Sequence, residues 1–234
     1  MRHLLLVVPA RNEEHSITQC LDVLARERGA YHQIGVEIDV LVVVNNSSDR
    51  TFETAASLQD GHEWLQVEEI TGRGKGLAIR HGWEIGRDIV AFTDADLAAD
   101  ITALRGMVKA IVDDSADLVV ASRYLDGPRP ERVLRRTLLS LCYRRVARML
   151  IGLPVRDAQC GLKAARYDRI APVLHTCQET GWLLDSEMLF HANSMGLRIL
   201  EVPVHWTEGE RSNLRTLPVG REVIRFLLRL RRNR

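Results

Sequence analysis

Short apolar runs alternate with longer amphipathic stretches through the first half of the chain. Leu4 to Val8, Ile38 to Val44, Leu65 to Ile70, Ile89 to Thr93 and Leu118 to Ala121 are rich in Val, Ile and Leu and of strand length, which predicts strands buried between two layers. Between them, Glu13 to Arg26, Thr51 to Leu58, Gly76 to Ile85 and Ile101 to Val112 have helical patterning, and Asp100 stands where it can cap the last of these. Strand-helix alternation of this kind predicts an α/β fold with a mostly parallel sheet and helices on both faces. Ligands bind such sheets beyond the carboxyl ends of the strands, so the loops after the strands are where chemistry is expected.

Beyond residue 122 the pattern changes. A Gly/Pro loop at Asp126 to Pro130 leads into a long helical stretch ending near Ile151, and a glycine-containing loop follows around Cys160 and Gly161. A helix from Asp185 to Met195, a strand from Arg198 to Trp206 and a basic helix from about Val219 complete the reading. There is no internal repeat. With 234 residues, 46% of them hydrophobic, the chain can bury one sizeable core. The expected organisation is one domain over 1–217 with a basic amphipathic helix at 218–234.

Charge adds a second theme. A formal net charge of +1 does not suit a surface devoted to nucleic acid. The arginines are unevenly placed, however, crowding Arg129 to Arg148 and Arg221 to Arg234. Arg132, Arg136, Arg144 and Arg148 fall on one helical face, and Arg221, Arg225 and Arg229 stand opposite Val223, Ile224, Leu227 and Leu228. Basic amphipathic helices of this form suit an anionic membrane surface; the alternative is a solvated arginine face packed on the domain. Cys20, Cys142, Cys160 and Cys177 show no C-x-x-C pairing and no histidines at zinc-finger spacing, which suggests reduced thiols in a cytosolic setting. The apolar run after Met1 is too short for a signal-peptide core, and no run approaches the roughly 18 residues of a membrane span. The expected location is the cytoplasm, peripheral at the cytosolic face of a membrane.

The sharpest chemical feature is Thr93-Asp94-Ala95-Asp96 at a strand end. Two carboxylates two residues apart can share a hard divalent cation, Mg2+ or Mn2+, and leave positions for phosphate oxygens. A metal so placed neutralises a departing diphosphate. Neighbouring strand ends carry Pro9-Ala10-Arg11-Asn12-Glu13, Asn45-Asn46-Ser47-Ser48-Asp49-Arg50-Thr51 and Gly72-Arg73-Gly74-Lys75-Gly76, together a rim suited to a nucleotide. The last of these lacks the glycine spacing of a dinucleotide fingerprint and has Gly76 where a P-loop needs Ser or Thr.

Taken in order with Ala78, Gly82, Ser122-Arg123-Tyr124, Asp157 to Lys163 and Trp182 to Glu187, these motifs resemble the inverting family-two glycosyltransferases of GT-A fold. Within that family the pattern is most similar to the polyprenyl-phosphate (dolichyl-phosphate) glucose and mannose synthases. The resemblance implies that Pro9, Ala10, Glu13, Asn46 and Lys75 surround the base and ribose, and that Asp94 and Asp96 serve the metal and diphosphate. It implies that Arg123 faces donor or acceptor phosphate, that Asp157, Gln159 and Lys163 line the sugar side of the cleft, and that Trp182, Asp185 and Glu187 open a helix below the reacting sugar. There are two departures from the pattern: Asn45-Asn46 replaces an acidic pair, and Ala98 stands where related mannose synthases carry a polar residue.

The implied reaction moves a hexose from a nucleotide-sugar donor to a polyprenyl phosphate with inversion. The Gln159 to Lys163 loop favours a UDP-sugar and glucose, with GDP-mannose and mannose open. Two other readings stand beside it: transfer to a soluble hydroxyl acceptor with Asp185 or Glu187 as base, and a nucleotide-sugar binding module without catalysis.

Overall fold

In the computed structural model, which describes residues 1–125, 145–207 and 216–232, the chain runs β1 (Arg2–Ala10), α1 (Ile17–Glu27), a 3-10 turn (Arg28–Ile34), β2 (Val36–Asn45), α2 (Thr51–Ser57), β3 (Leu65–Ile70), α3 (Lys75–Ile85), β4 (Ile89–Thr93), α4 (Ala103–Val112) and β5 (Leu118–Ser122). It continues through α5 (described over 145–151), β6 (Leu162–Arg166), α6 (Tyr167–Thr176), α7 (Leu184–Ser194), β7 (Ile199–Pro203) and α8 (Thr216–Arg232). One seven-stranded sheet has the order β3-β2-β1-β4-β6-β5-β7. Every pairing is parallel except those of β6, which runs antiparallel to both β4 and β5.

The apolar strands divide their side chains between two layers with the period of two that strand geometry imposes. Leu4, Leu6 and Val8 of β1 join Val40, Val42 and Val44 of β2 under α1 and α4, while Leu5 and Val7 join Leu41 and Val43 under α3 and α7. Both layers are apolar, which is why these strands read as continuous hydrophobic runs. Helix α4 closes one face with Leu104, Met107, Val108 and Ile111, spaced as one helical stripe.

Three parts differ from the sequence reading. Helix α1 begins at Ile17 rather than Glu13, because residues 11–14 bond to the loop after β2 instead of to the helix. The loop expected around Gly161 leads directly into β6, and α6 follows it. Sequence Leu-Lys-Ala-Ala-Arg has little strand preference of its own, and it is strand because it fills the gap between β4 and β5. The apolar face of α8 is drawn from other residues than expected: Val223, Phe226, Leu227 and Leu230 pack in the α7 layer, Ile224 and Leu228 are exposed, Arg225 is exposed and Arg229 turns onto the protein. Helix α8 begins at Thr216 and is packed into the same core as α7. Of the other expected arginine face, Arg132, Arg136 and Arg144 lie outside the described residues, as do the 126–130 loop and Cys142; Arg148 is exposed. Cys20, Cys160 and Cys177 are free and buried. Among the described residues no helix is long and apolar enough to cross a membrane.

Candidate active site

The carboxyl ends of β1, β2, β4, β5 and β7 share one rim of the sheet, and the reversed β6 brings its first residue to the same rim, where Leu162 pairs with Thr93.

At one side two loops are stitched together. The Asn12 side-chain carbonyl accepts the Ser48 N–H at 2.8 Å, the Glu13 N–H donates to Thr51 Oγ1 at 2.8 Å, and Asp49 accepts the Glu14 N–H at 3.2 Å. Asn12 and Asn46 adopt the left-handed conformation, with φ of 58° and 53°, which asparagine tolerates better than most residues. Pro9 and buried Ala10 end β1 at this point, and Asn46 is exposed beside Arg11. The neighbouring Asn45 is buried and donates its amide to the Gly74 carbonyl at 3.0 Å. One member of the asparagine pair thus fastens the glycine loop, and the other faces out.

Lys75 opens α3 and pairs with Asp94 at 2.5 Å, its ammonium also lying 5.1 Å from the centre of the Phe92 ring. Burial works against the Lys75 charge, but Asp94 and then Asp185 outweigh it and raise the ammonium above its ordinary value. Asp94 fits only because residue 161 is glycine: a Cβ there would lie 1.9 Å from Asp94 Oδ2. Asp96 is exposed, and the Ala98 N–H reaches its Oδ1 at 3.1 Å. The surrounding loops partly desolvate the Asp96 carboxyl although it is open to solvent, and with the charge of Asp94 they raise it above its usual range; burial raises Glu13, with Asp96, Asp94 and Asp49 adding to it against the Ser16 hydrogen bond.

This under-compensated negative charge fits a divalent cation. No group of three or more His, Cys, Asp or Glu among the described residues forms a complete cage. A cation here would take Asp94 and Asp96 and fill its shell with water and phosphate oxygens, the usual manner of Mg2+.

On the other side Arg123, just past β5, is held by Asp157. Nε reaches Oδ2 at 2.6 Å, Nη2 reaches Oδ1 at 2.7 Å and the Arg123 N–H reaches Oδ2 at 3.0 Å. Burial alone would raise the Asp157 carboxyl; the Arg123 hydrogen bonds and charge reverse that and hold it below the ordinary value. Arg123 is therefore an anchored guanidinium, with buried Asp157 as its anchor.

Behind the rim, three expected residues are buried and engaged. Lys163 is wholly inaccessible, with Nζ 2.5 Å from Asp185 Oδ1 and 2.8 Å from the Cys160 carbonyl. Glu187 accepts the Gln178 and Glu179 N–H groups and meets Arg229 of α8 at 3.1 Å. The structure thus does not bring Lys163, Asp185 or Glu187 to an open surface. Gln159, half-buried, donates to Ser186 Oγ at 2.8 Å, and Trp182 is half-buried in the loop before α7. Arg229 is the partner that the sequence did not disclose, because its stripe pattern pointed outward.

Comparison with known proteins places this geometry. The sequence profile described as Glycosyl transferase family 2 matches residues 5–171. The chain is 32% identical to the low-salt glycan biosynthesis hexosyltransferase Agl6 of Haloferax volcanii over 95% of its own length and 52% of that protein. It is 30% identical to the dolichyl-phosphate beta-glucosyltransferase of Drosophila melanogaster, over 96% of this chain and 74% of that one. It spans about half the length of the first of these relatives. Among solved structures, glucosyl-3-phosphoglycerate synthase from Mycobacterium tuberculosis, in complex with Mn2+, UDP-glucose and phosphoglyceric acid, superposes with a TM-score of 0.64 at 20% identity, covering 98% of this chain and 80% of that one. At that identity the likeness is one of fold.

Proposed function

The chain belongs to glycosyl transferase family 2, and on that premise we propose that it moves a hexose, glucose before mannose, from a nucleotide diphosphate sugar to a polyprenyl phosphate with inversion. The observation that carries this reading is the exposed Asp96 beside the Lys75–Asp94 pair at the end of β4. The relatives named dolichyl-phosphate beta-glucosyltransferase support glucose, and therefore a UDP-sugar, as the first donor to test.

Each group then has a task. Asp94 and Asp96 would hold the divalent cation, which supplies positive charge to the departing diphosphate. Lys75, which the resemblance set beside the base and ribose, is charged and fixed on Asp94, and we assign it instead to the diphosphate as a second cation. The stitched loops at Pro9 to Glu13 and Asn46 to Thr51 form a preset edge for base and ribose. Arg123, pinned by Asp157, presents the donors it has not spent on that carboxylate to phosphate oxygens.

A phosphate acceptor is anionic at neutral pH and attacks without a general base, whereas a hydroxyl needs one. That distinction favours the lipid phosphate over a soluble hydroxyl acceptor, because the two carboxylates that the sequence offers as bases are both engaged, Asp185 by Lys163 and Glu187 by Arg229. Exposed Ile224, Leu228 and Met149, close in sequence to exposed Arg225, Arg231 and Arg148, suit peripheral contact with an anionic membrane, which we place at the cytosolic face.

The test is a donor panel with a short polyprenyl phosphate and Mn2+ or Mg2+, read as released nucleotide. UDP-glucose should give the fastest lipid-dependent release, and chelator should stop it. Release that needs a water-soluble hydroxyl acceptor and ignores the lipid would overturn the acceptor assignment.

A further inference from the structure

Asp185 and Glu187 stand two residues apart in the first turn of α7 but serve different elements. Asp185 meets Lys163, which shares the Phe92 ring with Lys75 at 5.2 and 5.1 Å. Glu187 faces the loop before its own helix and the C-terminal helix: Oε2 accepts the N–H of Gln178 at 2.9 Å and of Glu179 at 2.7 Å, and Oε1 meets Arg229 Nη2 at 3.1 Å. The same Nη2 reaches Glu179 Oε1 at 2.7 Å. Arg229 thus clasps two carboxylates, one in the loop and one behind it.

That loop leans directly on the Lys75 loop. The Leu77 N–H donates to the Thr180 carbonyl at 2.8 Å. Gly74, at φ +143°, has no room for a side chain, since a Cβ would lie 2.1 Å from the Thr180 oxygen; a Cβ on Gly76 would lie 2.6 Å from the Gly181 oxygen. Lys75 sits between those two glycines and holds Asp94. A shift of the 178–181 segment therefore moves Lys75.

We propose that Arg229 is a positioning residue for the nucleotide-sugar site: by clasping Glu179 and Glu187 it holds the 178–181 loop against Gly74 to Gly76 and sets Lys75 on Asp94. The inference rests on the reading above that Lys75 meets the donor diphosphate. It makes the Arg229 clasp, rather than the packing of α8 as a whole, and the donor site two ends of one contact chain, so the clasp and the donor bias each other reciprocally. Glu187 keeps its two backbone N–H donors when Arg229 is removed, and α8 keeps Phe226, Leu227 and Leu230, so the expected effect is a loosened loop within a folded protein.

The experiment uses the full chain and compares Arg229→Ala and Arg229→Lys with Leu230→Ala, which loosens α8 without touching the clasp. Calorimetry with UDP-glucose and Mn2+, steady-state kinetics and amide exchange at Leu77 are the readouts. Arg229→Ala should weaken donor binding and raise donor KM roughly tenfold with kcat little changed, and speed exchange at Leu77. Arg229→Lys, which keeps a cation between the carboxylates, should recover part of the loss. Leu230→Ala should lower Tm yet leave donor affinity within about twofold. Wild-type donor affinity in Arg229→Ala, or an equal loss in Leu230→Ala, overturns the proposal. Should Arg229→Ala fail to fold, Glu179→Gln removes one leg of the clasp and must raise donor KM by a smaller factor; an unchanged KM overturns it too. A wild-type protein that binds no nucleotide sugar defeats the proposed function instead, and Leu77 exchange in the same variants then decides the clasp alone.

Discussion

Arg123 meets Asp157 edge to edge, with Nε on one carboxylate oxygen at 2.6 Å and Nη2 on the other at 2.7 Å, and its guanidinium lies 5.6 Å from the rings of both Tyr124 and Trp206. Lysine cannot reproduce that fork, since it offers a point charge on a flexible stem. Arg123→Lys should lower stability by about 1.5 to 3 kcal/mol, the range for a hydrogen bond to a charged group. It should also reduce kcat roughly tenfold or more while donor affinity changes less. Urea unfolding beside kcat with polyprenyl phosphate checks both. A stability loss with unchanged kcat would make the pair purely architectural.

Asp96 contributes little to packing, being exposed and bonded to the Ala98 N–H, and Asp94 crowds its charge. Asp96→Ala should leave stability within about 0.5 kcal/mol of wild type. Transfer should nevertheless fall to background. Thermal melts and a nucleotide-release assay decide, and full turnover in the variant would remove Asp96 from the site.

Gly161 faces the Asp94 carboxylate with no space for a methyl group. Gly161→Ala should push Asp94 away from Lys75 and reduce kcat/KM by roughly a hundredfold, a loss in the range of a displaced catalytic group. Mn2+ titration of the variant separates the causes: weakened metal binding places the damage at Asp94, whereas wild-type metal binding excludes this explanation.

The buried Lys163–Asp185 pair predicts a sign reversal. Lys163→Met alone leaves a carboxylate uncompensated in the core and should cost about 3 to 5 kcal/mol. Lys163→Met combined with Asp185→Leu should recover most of that stability, because two apolar groups need no partner. Denaturant midpoints of the two singles and the double give the coupling directly, and additive losses would contradict it.

At the opposite edge of the sheet, Arg198 bonds Asp117 through its backbone N–H at 2.9 Å and its guanidinium at 2.8 and 3.1 Å. These bonds lower the Asp117 carboxyl from 3.8 to about 2. A folded-state value below the unfolded one gives stability that is complete above about pH 4 and fades as pH falls toward 2. Arg198→Gln should therefore be less stable than wild type at pH 7, with the difference shrinking across pH 4 to 2. Urea midpoints over that range test it, and a pH-independent difference would assign the effect to packing.

How much of this was legible in the sequence differs between fold and site. The strands β1 to β5 and helices α2 to α4 were readable because buried parallel strands and amphipathic helices leave local periodicities in composition. The rim was readable too, since Asp94, Asp96, Lys75 and Arg123 each follow a strand end, and strand ends in such sheets converge.

What only the tertiary structure decided is who holds whom. Whether Lys163 points to a cleft or into the core depends on β6, a weak strand former that is inserted antiparallel between β4 and β5 by the space available there. Whether Glu187 is a base or a fastening depends on Arg229, 42 residues away, arriving on a helix whose stripe alone placed it in solvent. The sequence by itself determined which residue types reach the rim, because that follows from short-range period and turn chemistry. The pairing of buried charges is set by distances between elements far apart in the chain, and those distances exist only once the layers have packed.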